Sequence, residues 1–75
     1  MHVKLFISSN ITGKIFEKRM MEVLVEMGIP VNLEIHQTVP RILQGIFYTP
    51  ALIIDDQIVS SGKVLTKEEL TSFFM

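Results

Sequence analysis

The chain has 75 residues, of which 48% are hydrophobic, and its seven basic and eight acidic side chains give a formal net charge of −1. A chain of this length buries only about 60% of the surface that its unfolded form exposes, so we expect a single domain, residues 1–75. The near-neutral charge argues against nucleic acid and anionic membranes as partners. Charged residues interrupt every apolar run before the ~18 residues of a membrane span, and no signal-peptide pattern follows Met1. We expect a cytoplasmic, soluble protein.

The chain opens with a strand pattern and continues into the longest helix pattern in the sequence. Residues 2–7 alternate in hydropathy but carry Phe6 among the polar positions, which predicts a central strand covered on both sides. From Gly13 to Met27, apolar residues recur at the spacing of one helix face. The predicted core positions of this helix are Phe16, Met20, Val23, Leu24 and Met27.

Both ends of this helix carry sequence signals. Asn10 or Thr12 supplies a side-chain oxygen that can cap the first turn. Gly28 suits the left-handed position after the last turn, and Pro30 cannot continue a helix. The pattern therefore predicts that the helix ends at Met27.

Residues 31–45 predict a strand and a short helix. Apolar and polar residues alternate from Val31 to His36, which is typical of an edge strand with one buried face. A short helix is then predicted after Thr38, with Pro40 tolerated in its first turn and Gly45 near its end.

The last third of the chain predicts a β-hairpin followed by a C-terminal helix. Two apolar runs flank the pair Asp55-Asp56, which indicates two strands joined by a tight turn. Thr66 and Glu69 have the spacing of a capping box at the start of the final helix, and Leu65 and Leu70 that of a hydrophobic staple. The predicted inward face of this helix consists of Leu70, Phe73 and Phe74.

The order of predicted elements is β-α-β-α-β-β-α. A strand, a crossover helix and a second strand form a parallel, right-handed pair, while the hairpin adds antiparallel strands. The prediction is an α/β fold with a four-stranded mixed sheet and helices on both faces, which is the core arrangement of thioredoxins and glutaredoxins.

Five segments also carry a family pattern. They are the Gly-Lys opening of the first helix, Met-Gly-Ile-Pro after it, Tyr-Thr-Pro-Ala-Leu-Ile-Ile-Asp-Asp, Ser-Ser-Gly-Lys-Val, and Thr-Lys-Glu-Glu-Leu. In order and spacing they resemble the redox-active disulfide protein family of minimal thioredoxin-like, glutaredoxin-like domains, over essentially the whole chain. With the element pattern, the resemblance implies strand order 2-1-3-4, with the first and third helices on one face and the second on the other.

The resemblance breaks at the redox motif. In that family the loop after the first strand carries Cys-x-x-Cys just before a Lys, at the positions of Asn10 and Gly13, but this chain has no cysteine. Thiol–disulfide exchange requires an attacking thiolate, so the chain cannot run that cycle with its own residues. The resemblance also implies that Thr49–Pro50 is a cis bond facing the same loop.

We therefore expect a non-catalytic module that binds in the groove between the 8–14 loop and Thr49–Pro50, because an extended peptide can add to an exposed backbone edge without a thiol. The expected partner is a protein or peptide, or a second copy of the chain, with no cofactor. The alternative is a redox enzyme that borrows an external thiol such as glutathione, held by Ser9 or Thr12. The predicted groove residues are Ser9, Asn10, Ile11, Thr12, Lys14, Tyr48, Thr49 and Pro50, with Ile15 and Phe47 as further apolar anchors.

Other sequence patterns give less support for a phosphate site, a metal site or a partner surface. The 8–14 loop fails the phosphate-loop pattern at Ser8 and Ile15. Strand spacing predicts that His2 and His36 lie about 17 Å apart, so no metal site is expected. Off the buried face of the first helix are four apolar residues, which would mark a partner surface if they formed a contiguous exposed patch. These residues are Ile11, Ile15, Met21 and Val25.

Overall fold

The computed structural model describes residues 1–8 and 10–74. Its elements are, in order, β1 (His2–Phe6), α1 (Ile11–Met27), β2 (Asn32–His36), a 3₁₀ turn (Arg41–Leu43), β3 (Ala51–Ile54), β4 (Gln57–Ser61) and α2 (Lys67–Phe74). The strands form a sheet of order β2-β1-β3-β4, in which β1 is parallel to β2 and antiparallel to β3, and β3 is antiparallel to β4. The predicted fold class and strand order are confirmed. Across these described ranges, no helix is both long enough and apolar enough for a membrane crossing.

α1 begins and ends where its terminal backbone groups find partners. The Asn10 side-chain oxygen accepts a hydrogen bond from the Gly13 N–H at 2.9 Å, so Asn10 rather than Thr12 is the N-cap. At the other end Gly28 has φ +63°, and its N–H donates to carbonyls of the last turn at 3.1 and 3.3 Å. The helix ends at Met27, as predicted, because glycine adopts this left-handed conformation without steric cost.

The main core lies between the sheet and the two α-helices, which share one face. Phe73, predicted to face inward, is 37% exposed, because Leu70 and Phe74 lie four residues apart and fill the narrow inward stripe of this short helix. The buried side chains of this core are Val3, Leu5, Ile7, Phe16, Met20, Val23, Leu24, Leu52, Leu65, Leu70 and Phe74.

The other face of the sheet is covered by residues 38–48, which do not form the predicted α-helix. Arg41–Leu43 makes a single 3₁₀ turn, and a second turn follows at Gly45 and Ile46, where the Ile46 N–H donates to the Leu43 carbonyl at 3.1 Å. The stretch between Pro40 and Gly45 is too short to sustain an α-helix, and Gly45 leaves helical geometry with φ +86°. A second, smaller core lies beneath this segment and contains Phe6, Phe47, Ala51 and Ile53, with Val39 and Leu43 packed against it.

The hairpin and α2 have the local chemistry that the sequence predicts. Asp55 and Asp56 have φ +48° and +67°, the left-handed conformations of the tight turn that matches strand twist. The Glu69 N–H donates to the Thr66 hydroxyl, and the Thr66 N–H donates to the Glu69 carboxylate, each at 3.1 Å. The capping box is confirmed.

Candidate binding groove

The pairing of β1 with β3 brings the two predicted sides of the groove to one edge of the sheet. Phe6 at the end of β1 pairs with Ala51 at the start of β3. Because the strands are antiparallel, the chain leaving β1 at residues 7–8 runs beside the chain entering β3 at Thr49 and Pro50. The peptide bond between those two residues is cis.

Asn10 and Gly13 form the beginning of α1 at the positions where the resemblance places cysteines. Asn10 is exposed and Gly13 is buried. The hydrogen bond from the Gly13 N–H to the Asn10 side chain satisfies one of the free donors of the first turn. The carboxamide oxygen of Asn10 therefore accepts the Gly13 N–H, the bond that a thiolate would accept if position 10 were a cysteine.

Gly13 also lies in close contact with the strand-to-helix loop. A Cβ atom placed on Gly13 would lie 2.1 Å from the Ser8 carbonyl oxygen and 3.2 Å from the Ile7 Cβ. The nearer atom belongs to the backbone, so it cannot move aside as the end of a flexible side chain could. In this loop geometry position 13 excludes any side chain, including that of cysteine.

The opposite side of the groove is fixed by the end of β4. The Tyr48 N–H donates to the Ser61 hydroxyl at 2.8 Å, and the Gly62 N–H lies 2.8 Å from the Tyr48 carbonyl and 3.0 Å from that of Pro50. Sequence reasoning did not assign Ser61 and Gly62 to the site. The signal was present in the Ser-Ser-Gly-Lys segment, where Gly62 adopts φ +73°.

Phe47 and Tyr48, expected together as apolar anchors, have opposite environments. Phe47 is 5% exposed, with its ring centroid 5.0 Å from that of Phe6, so it belongs to the second core. Tyr48 is 75% exposed. The expectation for Phe47 is wrong because the missing helix leaves a gap over the sheet, and this ring fills it.

The remaining predicted groove residues differ in how the structure presents them. Thr49 and Pro50 are half-buried, and Ser9 lies outside the described residues. The Thr49 N–H and C=O form no hydrogen bond with any residue in the described ranges, although the backbones of Tyr48 and Pro50 on either side do. The exposed members are Asn10, Ile11, Thr12, Lys14 and Tyr48.

This geometry agrees with the comparison to known families. A family model described as a thioredoxin domain matches the chain over residues 1–75. The chain belongs to this thioredoxin-domain family. It is a member in which no cysteine remains to form the Cys-x-x-Cys motif. No curated protein and no solved structure matches the chain.

The electrostatic environment of this thioredoxin domain's groove is set by the helix end and one lysine. The first turn of α1 contains no acidic side chain to offset the partial positive charge of the helix N-terminus. Lys14 is exposed, and within the described residues it forms no ion pair. This side of the groove therefore favours anionic over cationic groups.

A second polar cluster lies where β1 and β2 pair. The Glu34 carboxylate contacts the His2 ring through one oxygen, and its other oxygen lies 3.3 Å from the His36 Nε2. The two rings are therefore much closer than strand spacing predicted, because Glu34 pairs with Lys4 and lies between the histidines on the same face. Among residues 1–8 and 10–74, however, no group of three acidic, histidine or cysteine side chains is arranged to hold a metal ion.

The protonation of Glu34 reflects these neighbours. Its partial removal from water would by itself raise the pKa of this carboxyl group, but the hydrogen bonds from His2 and His36 and the charges of His2 and Lys4 outweigh that effect and lower the pKa. The carboxylate is thus ionised over the neutral range, and it holds β2 to β1 through side chains as well as backbone.

Proposed function

We propose that this cysteine-free thioredoxin domain binds an extended peptide of a partner protein in the groove and performs no redox chemistry with its own residues. The observation that carries the proposal is the backbone of Thr49, whose N–H and C=O are unengaged within the described residues while the segments around it are held firmly. A strand-like peptide laid against Thr49 would satisfy both groups, as in other cases of β-strand addition.

Two exposed apolar side chains support this mode of binding. Ile11 is 77% and Tyr48 is 75% exposed, one on each of the two segments that β1 and β3 bring to the same edge. Tyrosine is a favourable anchor because it offers a large rigid surface with a polar end. We expect them to contact an apolar side chain of the peptide.

Charge narrows the class of peptide further. Lys14 and the uncompensated N-terminus of α1 favour an acidic group near the apolar anchor. The expected ligand is therefore an extended segment with an apolar residue next to an aspartate or glutamate, rather than a basic peptide.

The loop itself supports a non-catalytic role. The Asn10 side chain occupies the Gly13 N–H, and the Ser8 carbonyl leaves no room for a side chain at position 13. A domain in which the two cysteines had merely been replaced would still have room for a side chain at position 13. Here the second cysteine position has been closed by the backbone.

The direct test is selection of peptides from a random library displayed on phage, followed by titration of selected peptides into the isotopically labelled domain. We expect the largest amide shift changes at Thr49 and its neighbours. Ile11→Asp and Tyr48→Ala should abolish binding, whereas Ile42→Asp should not, because Ile42 is 84% exposed but lies in the 3₁₀ turn rather than in the groove.

Two outcomes would contradict the proposal. One is that selected peptides bind wild type, Ile11→Asp and Tyr48→Ala equally well. The other is specific turnover in an insulin-reduction assay with dithiothreitol or in a glutathione-coupled assay, which would favour the redox alternative with a borrowed thiol.

A further inference from the structure

α1 carries a continuous line of exposed side chains on the face opposite the core. Ile11 and Val25 are each 77% exposed, and Ile15 and Met21 are 44% and 46% exposed. At 3.6 residues per turn these four positions fall within an arc of about 120°, together with three charged residues. We call this surface the outer stripe; it consists of Ile11, Lys14, Ile15, Lys18, Met21, Glu22 and Val25.

The outer stripe has matching chemistry on the two sides of Lys18. Residues seven positions away are Ile11 and Val25, both apolar, and residues four positions away are Lys14 and Glu22, which have opposite charge. Ile15 and Met21, each three positions away, form a second apolar pair. When two copies meet antiparallel about a two-fold axis at Lys18, the other six positions face complementary partners. Lys18 meets its own copy at the axis, and Glu22 of each chain lies one turn away to offset the two like charges.

The charge order of α1 is unfavourable for a helix on its own. Its first charged residue is Lys14 and its last are Glu22 and Glu26, with Glu17, Lys18 and Arg19 between them; the first turn holds no acid and the last turn no base. This order opposes the helix dipole. An antiparallel second copy would place Lys14 beside Glu22 of the other copy and Lys18 within one turn of it.

Ion pairs within the described part of the chain offset the unfavourable charges only near the C-terminus of α1. Lys67 of α2 lies 3.5 Å from Glu22 and 2.9 Å from Glu26. The hydrogen bond and charge of Glu26, followed by the charge of Glu22, raise the pKa of Lys67. One ammonium thus serves two carboxylates, whereas Lys14 and Lys18 form no ion pair within the described residues.

We propose that the outer stripe binds a second copy of this chain, with the two α1 helices antiparallel about a two-fold axis at Lys18. A contact along about 21 Å of helix is at the small end of specific interfaces, so we expect a reversible dimer. The inference is independent of the proposed peptide binding. The two surfaces share Ile11, so a bound peptide and a second copy compete at that residue.

The first test is sedimentation over a concentration series that reaches about 1 mM, the range in which weak complexes form. Wild type should shift toward twice the 8.6 kDa monomer mass. Val25→Asp should remain monomeric, whereas Ile42→Asp, which changes a comparably exposed residue outside the stripe, should still associate. A wild type that stays monomeric throughout, or a folded Val25→Asp that associates like wild type, overturns the proposal.

The second test uses the symmetry of the charge pairs. Lys14→Glu and Glu22→Lys each place two like-charge pairs in a homodimer and should weaken it about tenfold. A mixture of the two variants restores opposite charges at both pairs, so a mixed dimer should form preferentially. Failure of the two folded variants to associate in the mixture overturns the proposal.

A third measurement remains decisive if loss of the Lys67 contact prevents Glu22→Lys from folding. The chain has no cysteine, so a single introduced thiol reports contact without background. Lys18→Cys lies at the proposed axis and should cross-link rapidly with a short bifunctional thiol reagent, whereas Ile42→Cys should not. Equal cross-linking of the two variants would show that no specific α1 contact exists.

Discussion

The two α-helices of this protein begin in contrasting ways. α2 has a closed N-terminus: Thr66 and Glu69 satisfy each other's backbone N–H groups, and Lys63 donates to the Glu69 carboxylate at 2.8 Å. α1 has one capping bond, from the Gly13 N–H to Asn10, and no acid in its first turn. The N-terminus of α1, whose partial positive charge no acid in the first turn offsets, lies at the edge of the sheet where the end of β1 meets the start of β3. Incomplete satisfaction of a helix terminus therefore coincides with the candidate groove.

Among the variants that test the difference between the two helix ends, we expect Gly13→Ala to lose the most stability. The added Cβ would lie 2.1 Å from the Ser8 carbonyl oxygen, so the loop must shift. Overpacking against backbone predicts a loss of about 3 kcal/mol in the free energy of unfolding. Urea denaturation measures it, and Thr12→Ala, an exposed neighbour in the same turn, is the matched control.

The same contact determines what happens when the redox motif is rebuilt. Asn10→Cys changes an exposed position, but Gly13→Cys carries the full steric penalty. We expect the double variant to be less stable than Gly13→Ala, because it also loses the carboxamide cap of Asn10. If Gly13→Ala had wild-type stability, the Ser8 carbonyl oxygen would not exclude a side chain at position 13.

The second prediction concerns the single cap of α1. Asn10→Ala removes the acceptor of the Gly13 N–H and should cost about 1 to 2 kcal/mol, because no second side chain in the described residues replaces it. Asn10→Asp keeps an acceptor oxygen and adds a charge that the helix dipole favours, so it should match or exceed wild type. If both variants lose the same stability, the cap does not hold this helix end.

The elements that sequence could predict are those specified by neighbouring residues. Gly28 ends α1, and Thr66 with Glu69 begins α2, because each signal acts within about four residues of its effect. The parallel pairing of β1 with β2 followed from the connection between them. The loop and the proline assigned to the groove came instead from the resemblance to the family.

The features that sequence could not predict depend on contacts distant in the chain. Residues 38–45 carry helix-like signals but are too few to form an α-helix, and the resulting gap is what buries Phe47 and leaves Tyr48 exposed. Likewise, Glu34 reaches both His2 and His36 because of the β1–β2 register, which spacing along one strand does not reveal.

The third prediction sharpens the contrast from the α2 side. Thr66→Ala removes the acceptor of the Glu69 N–H and should cost about 0.5 to 1 kcal/mol, less than Asn10→Ala. The smaller loss is expected because the Glu69 carboxylate can still accept the N–H of residue 66 and bind Lys63. Thermal unfolding of Thr66→Ala and Asn10→Ala side by side ranks the two caps. A larger loss for Thr66→Ala would show that the closed terminus depends on the hydroxyl alone.

The smallest predicted effect is a pH dependence present at one helix end and absent at the other. The hydrogen bond from Lys63, followed by that from the Thr66 N–H, lowers the pKa of Glu69 below its ordinary value of 4.5. A carboxyl with a lowered folded-state pKa contributes stability that is fully present above its unfolded pKa and is lost as pH falls through the folded value. The difference in stability between wild type and Glu69→Gln should therefore be present at neutral pH and smaller at acid pH, below the ordinary carboxyl pKa of 4.5, and added salt should reduce it. Glu68→Gln, which lies in the same turn but makes neither hydrogen bond, is the control for the general effect of charge near the helix end. The cap of α1 contains no ionisable group, so the loss in Asn10→Ala should be the same at both pH values. A Glu69→Gln difference that persists unchanged at low pH would mean that the carboxylate does not close the end of α2.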